Sequence, residues 1–169
     1  MNSNEVLISD SIEISVSGTF KTKHTFNSPE GSLGSLVIKG SKGEGVYSGA
    51  KGQVIEFKKP SAWKNIYELH EGKNKIASAH PPKKLKPDFD VEFNGQVYQL
   101  SPGGRKGRSW TLENDQGNAV CEVSPRGGLK RGAAIEITTP LSIRLLVFTY
   151  SLVAKKWQEE AYSADALDD

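Results

Sequence analysis

The stretch Leu141-Ser-Ile-Arg-Leu-Leu-Val-Phe-Thr-Tyr-Ser-Leu-Val-Ala154 constrains this chain most, because its only charge is Arg144 and the sequence around it signals a helix. Thr139 suits an N-cap and Pro140 a first helical position, while Lys155 and Lys156 suit a helix C-terminus. On a helical wheel Ser142 and Thr149 fall to one side and Arg144 and Ser151 to the other, so there is no continuous polar face. A helix that is apolar nearly all round belongs inside protein or inside lipid. A membrane span needs about 20 apolar residues, and this stretch is shorter and charged. The many β-branched and aromatic side chains also fit a long strand, but the length and the cap-then-proline start favour a helix over about 140–156. The rest of the chain must then enclose it, with Arg144 towards a mouth of the enclosure.

What precedes the helix reads as short antiparallel strands. The clearest unit is Asp88 to Phe93, Asn94-Gly95, then Gln96 to Leu100, the strongest two-residue hairpin signal. Pairing Phe93 with Gln96 sets Val91 opposite Tyr98 and Phe89 opposite Leu100, leaving Asp88, Asp90 and Glu92 on a solvated outer face. A second hairpin spans Trp110 to Val123 around Asn114-Asp-Gln-Gly117, with Leu112 expected opposite Ala119 and Trp110 opposite Cys121. Cys121 then reads as a small core side chain. Further strands are expected at Ile12–Val16, Thr19–Phe26, Leu33–Ile38, Gly45–Tyr47, Val54–Phe57, Asn65–Leu69, Lys75–Ala79 and Ala133–Ile137. With 17 Gly and 8 Pro punctuating the links, the pattern is a meander of roughly a dozen strands, long enough to close on itself. The expected fold is mainly β: a closed antiparallel barrel around a central hydrophobic helix, one domain over 1–158 with a flexible acidic tail over 159–169.

Charge is segregated along this frame. Residues 1–20 carry acids only, as do residues 159–169, so the body between them holds all 22 bases against 12 acids, a net +10. A basic body with an acidic tail suits an anionic partner, either a membrane surface or nucleic acid, and the tail is able to compete for that surface; solubility alone is the alternative. Residues Met1 to Asp10 lack the basic start and apolar stretch of a signal peptide, and the lone Cys121 makes no intrachain disulfide, so the expected place is the cytoplasm, peripheral at a membrane.

The order of the last third carries a resemblance. Trp110-Thr-Leu-Glu-Asn-Asp-Gln-Gly117-Asn-Ala-Val120 as strand, turn and strand, a basic loop from Arg126 to Arg131, the strand Ala133 to Ile137 and the apolar helix together resemble the tubby C-terminal fold shared with plant LURP-one-related proteins and phospholipid scramblases. That resemblance implies a helix threaded through the barrel and a basic outer surface that meets phosphoinositides or other anionic lipids. The chain has no cluster of cysteines for palmitoylation, and the resemblance transfers a type of surface and no individual lipid-binding residue.

No metal-protease, nucleotide-loop or hydrolase string occurs, so neither an enzyme, a cofactor nor a metal is expected. His24, His70 and His80 lie far apart, and Gly40-Ser-Lys-Gly43-Glu-Gly45 lacks dinucleotide spacing and reads as a turn. The candidate anion-binding residues are the basic clusters in or beside loops: Lys58 and Lys59; Lys83, Lys84 and Lys86; Arg105, Lys106 and Arg108; Arg126, Lys130 and Arg131. Trp63, near the first cluster, is a candidate for headgroup contact. The expected activity is non-enzymatic binding of anionic phospholipid headgroups. The alternatives are nucleic-acid binding, centred on Gly103 to Trp110, and a protein-interaction scaffold using the same loops.

Overall fold

The computed structural model describes residues 5–40, 42–61, 64–82, 88–103, 108–127 and 131–167, with side chains as far as residue 161. The elements, in chain order, are β1 (Leu7–Ile8), β2 (Ile12–Ser17), β3 (Lys21–Ser28), β4 (Gly31–Lys39), β5 (Glu44–Gly49), β6 (Val54–Lys58) and β7 (Tyr67–Glu71). There follow β8 (Asn74–His80), β9 (Phe89–Phe93), β10 (Gln96–Gly103), β11 (Ser109–Asn114), β12 (Ala119–Pro125), β13 (Gly132–Ile137), β14 (Leu141–Ser142) and a single helix, α1 (Ile143–Leu167). Strands β2 to β13 pair antiparallel in chain order, and β13 pairs back onto β2, closing a twelve-strand barrel.

Period-two alternation decides what faces inward. Ile12 and Ile14 of β2 are buried while Glu13 and Ser15 are exposed, and Phe89, Val91 and Phe93 of β9 point in with Glu92 outside. A helix with its side chains is about 10 Å across, wider than the interior of an eight-strand barrel, which side chains alone fill. Twelve strands make room for α1, and α1 fills that room. From Ile143 to Val153 every helix residue except Arg144 is buried, whichever way it faces. Tyr150 meets Phe26 of β3 edge-on at 5.3 Å between ring centres, and Phe148 meets Phe57 of β6 at 5.9 Å on another wall. Ser151, polar inside this core, donates to Val147 O one turn back at 2.7 Å.

The first hairpin has the expected register, with Phe93 opposite Gln96, Val91 opposite Tyr98 and Phe89 opposite Leu100. The second differs. Leu112 pairs with Cys121 and Trp110 with Val123, because Val120 is an extra residue bulged between the pairs Leu112–Cys121 and Glu113–Ala119. Asn114 causes part of this: its Oδ1 accepts the N–H groups of Gln116 and Asn118, widening the turn. The carbonyl of bulged Val120 then accepts the N–H groups of Thr138 and Thr139, which steers the chain from β13 towards the helix. Cys121 is a buried core side chain, its thiol pushed up to about 12 by burial.

The helix boundaries also move. Leu141 and Ser142 are extended, paired with Ile8 and Leu7, and Ile143 N–H donates to Val6 O at 2.9 Å. The cap is therefore Ser142, whose Oγ accepts from Arg144 N–H, and Thr139 and Pro140 belong to the link. At its other end α1 does not stop near Lys156. It continues to Leu167, so most of the segment expected to be a loose acidic tail is helical, with Lys156 and Glu159 paired at 3.6 Å. Arg144 does lie at a mouth, where Nε and Nη2 grip both oxygens of Glu71 at 2.8 and 3.1 Å.

Candidate functional site at the helix-exit mouth

An antiparallel meander sorts its connections by parity. Those that follow β3, β5, β7, β9, β11 and β13 open at the mouth where α1 starts, and those that follow β2, β4, β6, β8, β10 and β12 open at the mouth where it leaves. All the basic clusters read from the sequence belong to the second group. Lys83, Lys84, Lys86, Arg105, Lys106, Lys130 and Trp63 lie outside the described residues; the strand ends that flank them open on this exit rim. Lys58, Lys59, Arg108, Arg126 and Arg131 are described.

These five do not gather in one place. Arg108, Arg126 and Arg131 line one pocket of about 670 Å³ between the barrel rim and the departing helix, and Lys155 of α1 lines its other side. Lys58 does not reach it. Its position on β6 points outward, it pairs with Glu56 at 3.6 Å, and it lines a depression on the outer wall beside Lys21 and Lys39. Lys59 lines neither: its ammonium sits 5.8 Å over the Tyr67 ring, and its charge is felt by Lys155. Glu44 is on this rim too, accepting the Lys59 N–H at 3.0 Å.

The pocket is held by contacts that cross elements. Arg131 Nη1 donates to Gly18 O at 2.6 Å, tying the β12–β13 connection to the β2–β3 turn. Trp157 Nε1 donates to Arg108 O at 2.9 Å, fastening the helix to the β10–β11 connection. Gly43, at φ +71°, makes space for the Lys155 stem, since a Cβ there would sit 2.7 Å from Lys155 Cδ. Lys155 is buried, and burial above all, then Lys59 and Lys156, pulls its pKa down against the opposing pull of Glu159.

Deeper in, His24 of β3 shares hydrogen bonds with Tyr150 Oη at 2.5 Å through Nδ1 and with Thr22 Oγ1 at 2.9 Å through Nε2. Burial, then the nearby Arg131 charge, lowers the His24 pKa to about 4, so the imidazole is neutral at pH 7. Burial raises the Tyr150 phenol. His70 instead pairs with Glu68 on the barrel wall, and His80 is exposed. At the rim of the same mouth Phe20 is 96 % exposed in the β2–β3 turn, although the sequence pattern extended a strand over Thr19 and Phe20. Gly18 at φ +91° creates that turn; a Cβ there would lie 2.1 Å from Lys21 O.

Sequence reasoning missed Lys155, His24, Tyr150, Trp157 and Phe20. Lys155 reads as a helix-end cation, Tyr150 as part of the apolar helix, Phe20 as part of a strand and His24 as one of three scattered histidines, while Trp157 carries no signal of its own. The available signal was Ser17-Gly-Thr-Phe20, a glycine turn with a large apolar residue directly before Lys21.

The opposite mouth has its own pocket, of about 460 Å³, with Glu5, Asp115 and Tyr98 among its walls and no Lys or Arg among the described residues that line it. Among the described residues no helix is long and apolar enough to cross a membrane. Compared with known proteins, the chain matches no family model, no curated protein and no solved structure.

Proposed function

We propose that this protein is a non-enzymatic, tubby-like barrel that docks peripherally on the cytoplasmic face of a membrane, binding anionic phospholipid headgroups of the phosphoinositide type through its exit rim. The observation that carries this reading is the shared rim: Arg108, Arg126, Arg131, Lys59 and exposed Phe20 all belong to connections that open at one end of the barrel. Cations on one rim act on a planar surface together. Each Lys or Arg near an anionic leaflet contributes about 1 kcal/mol, fading beyond a Debye length of about 10 Å. Phe20 at a turn tip adds an apolar side chain able to enter the headgroup boundary.

Nucleic acid is the competing partner for the same charges. Single-strand binders stack bases on aromatics displayed across a sheet face. Among the described residues the large apolar side chains exposed on the barrel wall are Val46, Val54 and Val97, and the one exposed Phe, Tyr or Trp is Phe20 at its turn. That arrangement favours a lipid surface. Co-sedimentation with phosphatidylcholine vesicles, with and without phosphatidylserine or a phosphoinositide, tests it. Binding should rise with anionic lipid and fall with salt, and equal binding to neutral and anionic vesicles would refute the reading.

A further inference from the structure

We propose that the pocket beside the departing helix is a receptor for one phosphate-bearing headgroup, a site of defined shape within the basic rim. This rests on the anionic-lipid reading above and narrows it to a single cavity. At about 670 Å³ the pocket has the size of a small-molecule site. Arg108, Arg126, Arg131 and Lys155 reach it from two barrel connections and from α1, and neither Asp nor Glu is among the described residues that line it. Like charges gathered in a partly enclosed space repel one another, and a bound phosphate relieves that repulsion. Guanidinium groups also match phosphate oxygens as bidentate forks.

The site is already organised. The Arg131–Gly18 and Trp157–Arg108 hydrogen bonds hold its two walls, so little ordering remains for the ligand to impose. Val16 and Ile38 give the wall an apolar part, and Tyr150 with neutral His24 closes the floor. A phosphate monoester carried by a ring of sugar or inositol size fits that division, with the phosphate towards the cations and the ring towards the apolar wall. The phosphate has two sources, a membrane lipid or a soluble headgroup.

Calorimetric titration of the full chain with inositol trisphosphate addresses the soluble source, and co-sedimentation with phosphatidylcholine vesicles carrying a phosphoinositide addresses the lipid. Arg126→Gln should weaken trisphosphate binding about tenfold, and Gln158→Glu, which adds a carboxylate to a half-exposed wall position, should do the same. Lys51→Gln on the other rim should leave it unchanged, and thermal unfolding shows whether each variant is folded. Absence of trisphosphate binding, or equal binding by parent, Arg126→Gln and Gln158→Glu, overturns the pocket. Salt-sensitive vesicle binding that survives both pocket substitutions also overturns it while leaving the rim reading in place. Trisphosphate binding lost in the pocket variants, from a protein that ignores vesicles, supports the pocket with a soluble ligand and removes the membrane reading instead.

Discussion

The two mouths of the barrel are made by the same strands and the same helix, yet they are finished in opposite ways. Where α1 starts, the one charge in the apolar run, Arg144, is neutralised by Glu71 in a two-point grip, and the β1–β14 ladder leads directly into the helix. The pocket there has Glu5 and Asp115 among its walls and no described Lys or Arg. Where α1 leaves, arginines and a buried lysine surround a larger pocket, and its described lining contains no carboxylate. The difference separates closure from recognition. An internal ion pair completes a structural end, while cations gathered around a pocket with no carboxylate in its described lining leave an end that favours the arrival of an anion.

Substitutions at points between and around the two mouths should respond in a graded order. Phe148 sits mid-helix against Phe57, so Phe148→Ala should cost about 3–5 kcal/mol in denaturant unfolding, whichever mouth is considered. Next comes pH. His24, faced by Thr22, Tyr150 and Arg131, has its folded pKa near 4 against an ordinary value of 6.5, so the unfolded chain takes up the proton first as pH falls. Stability is then fully present above pH 6.5 and declines towards pH 4 by about 3 kcal/mol. A pH series of unfolding midpoints should show that loss in the parent and a much flatter profile in His24→Gln; equal profiles would remove His24 as the cause.

Smaller effects discriminate between the mouths more sharply. Glu71→Ala should lower stability by about 1–2 kcal/mol, since it leaves the Arg144 guanidinium half-enclosed without its partner, and it should not alter vesicle binding. A loss of vesicle binding in that variant would mean the two mouths are coupled through α1. Phe20→Ser should shift unfolding by less than about 0.5 kcal/mol, as the side chain touches little. Its co-sedimentation with anionic vesicles should nevertheless fall several-fold, and unchanged binding would remove Phe20 from the docking surface.

Most of the architecture was legible because it depends on local chemistry. Alternation placed the twelve barrel strands, Asn94-Gly95 set one hairpin register, and the missing polar face of Leu141 to Ala154 required an enclosure. The errors arose where distant chain decides local structure. Thr139-Pro140 is a good helix start in isolation, but pairing with Leu7 and Ile8 keeps the backbone extended for two more residues. Asn114 and the Val120 bulge shifted a register that counting from the turn did not capture. For the site, the clusters were visible and their shared rim was within reach. They follow the fifth, seventh, ninth and eleventh barrel strands, all odd, and odd connections of a closed meander share a mouth. Lys155 and His24 were hidden because their meaning depends on the barrel wall that surrounds them.

The threaded helix also orders events during synthesis. Every wall strand leaves the ribosome before the element that fills the barrel, and the pairing that closes the wall, β13 to β2, joins residues far apart in the chain. Until the helix follows, the nascent wall exposes inward-facing Phe, Ile and Leu with nothing to cover them, the condition under which chains aggregate or recruit chaperones. The wall therefore depends on the last-made element for its filling, a burden imposed by the order of the elements.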